Sequence, residues 1–308
     1  MTDWPTILVR LALYVVLAAL FGLSAFSLYG LQADEREDAL ALRPWLVGSA
    51  VVGLFLSVTS LLLMVSAMAG APLWPVDREA VNALLGGSSI GTAWLARMGA
   101  LAVAGGAALV ARGRAPWLVL TVIASAVSVA TLAWTGHGAM DEGRAGWVHL
   151  IADVLHLVAA GVWVGALLGL LLLLARPASR VDTQHLRLTH RALHGFGAVG
   201  TAVVATIVIT GLINSWLLVG PSNVLALGTT LYGQLLLAKL ALFAAMLGLA
   251  SLNRFRLTPA FEQSIAAAEH GRALAALRAS LAVETGCVLL ILGLVAWLGT
   301  LAPPAAGM

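Results

Sequence analysis

The residues best suited to chemistry are His149, Asp153 and His156, spaced i, i+4 and i+7. On an α-helix of 3.6 residues per turn they share one face, and Trp163 continues the stripe. Thr135-Gly136-His137 closes the preceding apolar run, and residues 138–148 form a short return to His149. His137 and His149 therefore meet at adjoining ends of consecutive antiparallel helices, with His156 about 10 Å deeper. Imidazole ligates copper, zinc and haem iron. A carboxylate beside it serves as a ligand or orients the ring. His137, His149, His156 and Asp153 are accordingly the candidate metal site. Haem b, ligated axially by His137 and His156, is an alternative. Interfacial histidines bonded to loop carbonyls are the plainer reading.

Soft ligands gather near the same end. Met64 and Met68 form an M-x3-M pair, Met98 follows Arg97, and Met140 follows His137. Thioethers favour Cu(I), although methionine also packs apolar helices well. These four are candidate path ligands. Arg97, Lys239, Asn214 and Glu284 are further polar residues inside apolar runs. An ionisable group there is costly and usually faces the bundle interior, paired. Arg97 and Lys239 are expected to pair with Asp153 or another acid. His185, His190 and His194 lie among arginines and read as a solvated loop.

The elements that must position these side chains are membrane helices. Hydrophobic residues make up 61% of the 308-residue chain and charged residues 10%, against about 25% charged in an ordinary soluble domain. Eight runs are long enough to span a bilayer, which takes about 20 residues. They cover roughly 4–31, 44–70, 90–110, 117–137, 149–175, 196–219, 232–253 and 280–301. The expected fold is an all-α polytopic bundle over 1–308, divisible into N-terminal helices (1–128) and a second region (129–304). The first run is too long for the core of a signal peptide, about 7–15 residues, and reads as a retained helix. Cys287 is the single cysteine, so no intrachain disulfide or Cys-rich zinc ribbon is available.

Twelve arginines fall in the odd-numbered loops and two, Arg78 and Arg144, in the even-numbered ones. The positive-inside rule places the odd loops in the cytoplasm and both termini outside. The basic character is thus explained without nucleic acid. Phe261–Leu277 has helical spacing and is expected to lie on the membrane surface, and Val76–Leu85 is a short amphipathic stretch. A weak internal repeat links Gly91, six residues before Arg97, to Gly233, six before Lys239.

In order and spacing, these motifs resemble the CopD family of copper resistance and uptake membrane proteins. The matching residues are Thr135-Gly136-His137, His149-x3-Asp153-x2-His156, Trp163-Val164-Gly165, Thr210-Gly211 with Asn214-Ser215, Tyr232-Gly233 through Lys239, Asn253-Arg254, and Val283-Glu284. The likeness is clearest over about 130–304, and looser before it. It implies a multi-pass bacterial inner-membrane protein moving copper from periplasm to cytoplasm. It also implies a separate periplasmic CopC-like copper-binding partner. Three functions follow: a copper permease with no enzymatic activity, a b-type haem redox protein such as a quinone or copper reductase, and a copper-binding assembly or sensing component. No phosphate-binding loop for ATP-driven pumping is visible.

Overall fold

In the computed structural model, residues 3–70, 72–136, 143–176, 182–267 and 271–307 are described. Ten α-helices are present among them: α1 (Trp4–Tyr29), α2 (Leu42–Ala69), α3 (Arg78–Gly87), α4 (Ser89–Ala111), α5 (Ala115–Ala130), α6 (Gly143–Leu174), α7 (Thr183–Val219), α8 (Leu231–Leu252), α9 (Thr258–Ala266) and α10 (Gly271–Leu298). A 3-10 turn, Thr131–Thr135, prolongs α5, and a π-turn, Asn253–Leu257, joins α8 to α9. Eight helical stretches have the length and apolarity to cross a membrane. The chain is an all-α multi-pass membrane bundle. Its ends lie at one face, called here the terminal face. The arginine-rich loops lie at the other, the arginine face.

α1 runs through the middle, against α2, α5, α6 and α10. Its contact with α6 depends on glycine. A Cβ on Gly165 would collide with the Gly22 backbone, and one on Gly161 would stand 2.8 Å from the Phe21 ring. Without a hydrophobic drive between helices in lipid, such small-residue seams let backbones approach and gain dispersion contacts. The seam fixes the rotation of α6, and with it the direction of its polar stripe.

Around this centre α7 packs on α6 and α8 on α10, while α7 and α8 scarcely touch each other. A cleft therefore runs between them. At the arginine face, side chains cap free helix ends. Arg36 donates to the Ser27 and Leu28 carbonyls, and Arg278 to those of Leu174 and Arg176. Cations suit a helix C-terminus because they meet its last carbonyls and negative dipole end.

Two expectations require correction. The segment bearing His185, His190 and His194 is not a loop but the start of α7, capped by Asp182, whose carboxylate accepts from His185 N at 2.7 Å. His185 is buried, its Nε2 lying 2.9 Å from the Leu173 carbonyl. At 37 residues, α7 spans about 55 Å, so its first turns extend beyond the hydrocarbon. The Phe261–Leu277 stretch does not form one surface helix either. It divides between α9 and α10, with Phe261, Leu274 and Leu277 buried in the core.

The two glycine motifs share one local construction. Ser88 caps α4 by accepting from Gly91 N at 2.9 Å, and Thr230 caps α8 by accepting from Gly233 N at 3.1 Å. A Cβ on Gly91 would strike the Leu84 carbonyl, and one on Gly233 that of Leu227. Each cap thus folds the preceding short helical segment tightly over the helix start. Arg97 and Lys239 follow at the same distance from these starts.

Candidate functional site

Three cavities follow one another through the second half of the bundle, joined by shared lining residues. The first, about 200 Å³, lies towards the terminal face and includes Asp153, His156, Asn214, Tyr232, Lys239 and Arg10 in its lining. The second, about 320 Å³, lies in the α7–α8 cleft and is again lined by His156 and Lys239, with Met246 and Trp163. The third, about 310 Å³, is lined by Trp163, Glu284, Asn253 and Arg254 towards the arginine face. His156 and Lys239 belong to the first two cavities, and Trp163 to the last two.

The antiparallel pairing of α6 with α7 assembles the first polar group. Asn214 Nδ2 donates to Asp153 Oδ1 at 2.6 Å. One turn along, His156 Nδ1 lies 2.9 Å from Thr210 Oγ1. The Thr210 hydroxyl proton is directed to the Thr206 carbonyl at 2.6 Å, so its oxygen is left to accept. His156 must then carry its proton on Nδ1, which leaves the Nε2 lone pair free for a ligand. This is the arrangement by which a neighbouring acceptor orients a metal-binding imidazole.

Lys239 lines the same cavity and lies within Coulomb range of Asp153. Among the described residues its ammonium makes no ion pair within 4.0 Å. The expected pairing is therefore a longer-range attraction across the cavity. Arg97 departs further from expectation. It is 2% exposed, and its Nε and Nη2 donate to Thr131 Oγ1 at 2.9 Å and Thr131 O at 3.1 Å. Its partner is a hydroxyl and a carbonyl, not an acid, because the 3-10 turn ending α5 presents both beside α4.

His149 is buried near the start of α6, close enough to Asp153 to interact with its charge. Among the described residues no three His, Cys, Asp or Glu side chains converge as a metal cluster. The rise along α6 explains the separation, since seven residues carry His156 about 10 Å from His149. His137 and Met140 lie outside the described residues. The haem alternative used His137 opposite His156, and no other imidazole among the described residues lines these cavities. Met64 packs beside Leu61, Val65 and Leu84, Met68 is 69% exposed, and Met98 is half-buried on α4. Met64 and Met68 line a separate cavity with Arg10 and Arg97.

Towards the arginine face, Glu284 is 1% exposed and accepts from Trp163 Nε1 at 3.1 Å and Asn253 Nδ2 at 2.9 Å. Asn253 Oδ1 is buried and has no hydrogen-bond partner among the described residues. Trp163 is held further by an edge contact with Phe196, at 5.8 Å between ring centroids. It stands as the wall between the second and third cavities. The role of Thr210 as orienter of His156 was not anticipated, nor were Trp163 and Asn253 as partners of Glu284. The threonine had a signal: Thr210 and Asn214 are four apart on α7, matching the turn between Asp153 and His156.

The chain matches a family model for the copper resistance protein D-like N-terminal domain over residues 1–147, and one for copper resistance protein D over 190–298. It is 46% identical to copper resistance protein D of Pseudomonas syringae pv. tomato over all of both chains. The chain belongs to the copper resistance protein D family. Two other relatives match in part. Copper transport protein CutJ of Bacillus subtilis (strain 168) is 33% identical over 39% of this chain and 21% of its own length. Inner membrane protein YebZ of Escherichia coli (strain K12) is 33% identical over 43% of each chain. No solved structure matches. Membership in the copper resistance protein D family makes copper the ion to weigh against the three cavities.

Proposed function

We propose that this protein carries copper across the bacterial inner membrane, from periplasm to cytoplasm, through the three cavities in turn. The arginine distribution supports a periplasmic terminal face. Copper arrives there from a separate periplasmic CopC-like donor; its first contacts are His137, which lies outside the described residues, and then the buried His149. It then passes to Nε2 of His156. Asp153 supplies the negative charge that makes entry of a cation tolerable in a low-dielectric interior. Lys239 competes with the ion for Asp153, so the ammonium withdraws when copper enters and returns when it leaves. Met246 offers a thioether in the second cavity, suited to Cu(I). Trp163 separates this step from Glu284, which receives the ion on the cytoplasmic side. Met64 and Met68 line a separate cavity beside the buried Arg97 and stand outside this route.

The observation that carries the reading is the His156–Thr210 pair, which commits one ring nitrogen and frees the other inside a cavity that also holds a carboxylate. The test is copper accumulation by proteoliposomes containing the purified protein. His156→Ala is expected to abolish saturable uptake while leaving the protein folded. Uptake equal to wild type sinks the route.

A further inference from the structure

A fourth cavity, of about 430 Å³, lies at the terminal face between α1, α2, α4 and the 3-10 turn after α5. Its polar lining is rich in donors: Arg97, Arg10, Tyr14 and Ser60. One acid, the exposed Asp3, also lines it; its carboxylate is engaged in capping α1, accepting from the Thr6 amide and hydroxyl. Arg97 is the decisive residue. It is 2% exposed, and among the described residues no carboxylate lies within 4.0 Å of it. Thr131 takes two of its N–H groups and leaves Nη1 uncommitted. Arg10 donates to the Gly299 and Thr135 carbonyls at 2.8 and 3.1 Å, so it too is bound only by neutral acceptors. Two fixed cations in one cavity, with only neutral acceptors bonded to them, leave a strong demand for negative charge. A buried cation without a counter-charge is far more costly than one that has found it.

We propose that this cavity binds a small free anion, such as chloride or a small oxyanion, held by Arg97 Nη1 with help from Arg10 and the Tyr14 hydroxyl. Guanidinium donors are the preferred partners of such anions. The cavity is large enough to hold the ion together with water. The site adjoins the first cavity of the copper route, with which it shares Arg10, Tyr14 and Leu132, and its test needs no copper.

The full-length protein, purified in a neutral detergent, is unfolded thermally across a chloride titration, with gluconate keeping ionic strength constant. Phosphate and acetate are titrated likewise, and phosphatidylglycerol is tested separately. Chloride or one of the oxyanions is expected to raise Tm saturably, because a ligand that binds only the folded state stabilises it. Arg97→Gln should abolish saturation. Tyr14→Phe, which keeps the ring, should weaken the midpoint by about tenfold, the loss of one hydrogen bond to a charge. Should Arg97→Gln fail to fold, Tyr14→Phe decides the matter. A wild-type response no different from gluconate overturns the proposal. So does an unchanged midpoint in Tyr14→Phe, or a response to phosphatidylglycerol alone.

Discussion

Thr210→Val is the substitution that isolates the tautomer argument. Valine keeps the branched shape of threonine and removes the hydroxyl oxygen 2.9 Å from His156 Nδ1. The ring is then free to turn or to move its proton to Nε2, where it blocks a metal. Loss of such an orienting partner typically costs 10–100-fold in metal affinity, or about 1.4–2.8 kcal/mol. The Ile207 carbonyl, which also hydrogen-bonds the His156 ring, remains as an acceptor. The expected loss is therefore at the lower end, about tenfold. Copper affinity of the purified protein, measured by competition with a chromophoric Cu(I) chelator, gives the readout. Thr206→Val is the control, since its hydroxyl only returns to the Ala202 carbonyl one turn earlier on α7. If Thr210→Val and Thr206→Val bind copper as wild type does, His156 is not oriented by its neighbour and the route loses its support.

The remaining predictions concern other parts of the bundle. Lys239→Met should change the rate of copper uptake in proteoliposomes, because the competitor for Asp153 is gone; an unchanged rate removes Lys239 from the mechanism. Glu284→Ala should lower stability by about 1–3 kcal/mol for each buried donor it strands, Trp163 Nε1 and Asn253 Nδ2 being the two. Glu284→Gln should be far milder to the fold, since Asn253 can turn and offer its unpartnered Oδ1 to the new amide; thermal melts of the pair test this ordering. Gly165→Val should disrupt the α1–α6 seam and with it the polar stripe, read as a lower Tm and lost copper binding together. Overpacking of this kind costs about 1–3 kcal/mol or more.

The spans were legible because a long apolar run has few other solutions, and the eight helical stretches fall where hydropathy puts them. Their ends were not. Hydropathy measures where the bilayer can be, not where the helix stops, so the polar opening of α7 looked like a loop although Asp182 caps it. The face shared by Asp153 and His156 followed from spacing alone. Their partners on α7 did not, because spacing on one helix carries no information about the rotation of its neighbour. That rotation is set by packing, which here means glycines on α1 and α6. Arg97 misled for a related reason. An arginine in an apolar run suggests an acid, yet the 3-10 turn at Thr131 offers a hydroxyl and a carbonyl instead.

Arg97 and Lys239 make the functional contrast within the bundle. Both stand six residues after a glycine clamped beneath a hydroxyl cap, and both lie inside the membrane. The guanidinium is bonded in place by Thr131 and cannot give up its charge. The ammonium makes no hydrogen bond among the described residues and faces Asp153 across open space. A fixed charge lining a cavity suits a resident counter-ion, which need not move for the protein to work. A loosely held charge opposite a carboxylate suits a passing cation, because the carboxylate is always partly neutralised, by the lysine when the cavity is empty and by the metal when it is filled. The same local design thus supports retention in one half of the chain and exchange in the other. What separates the two is whether the neighbouring helix end turns a carbonyl towards the cation, as the turn after α5 does, or leaves it unbonded.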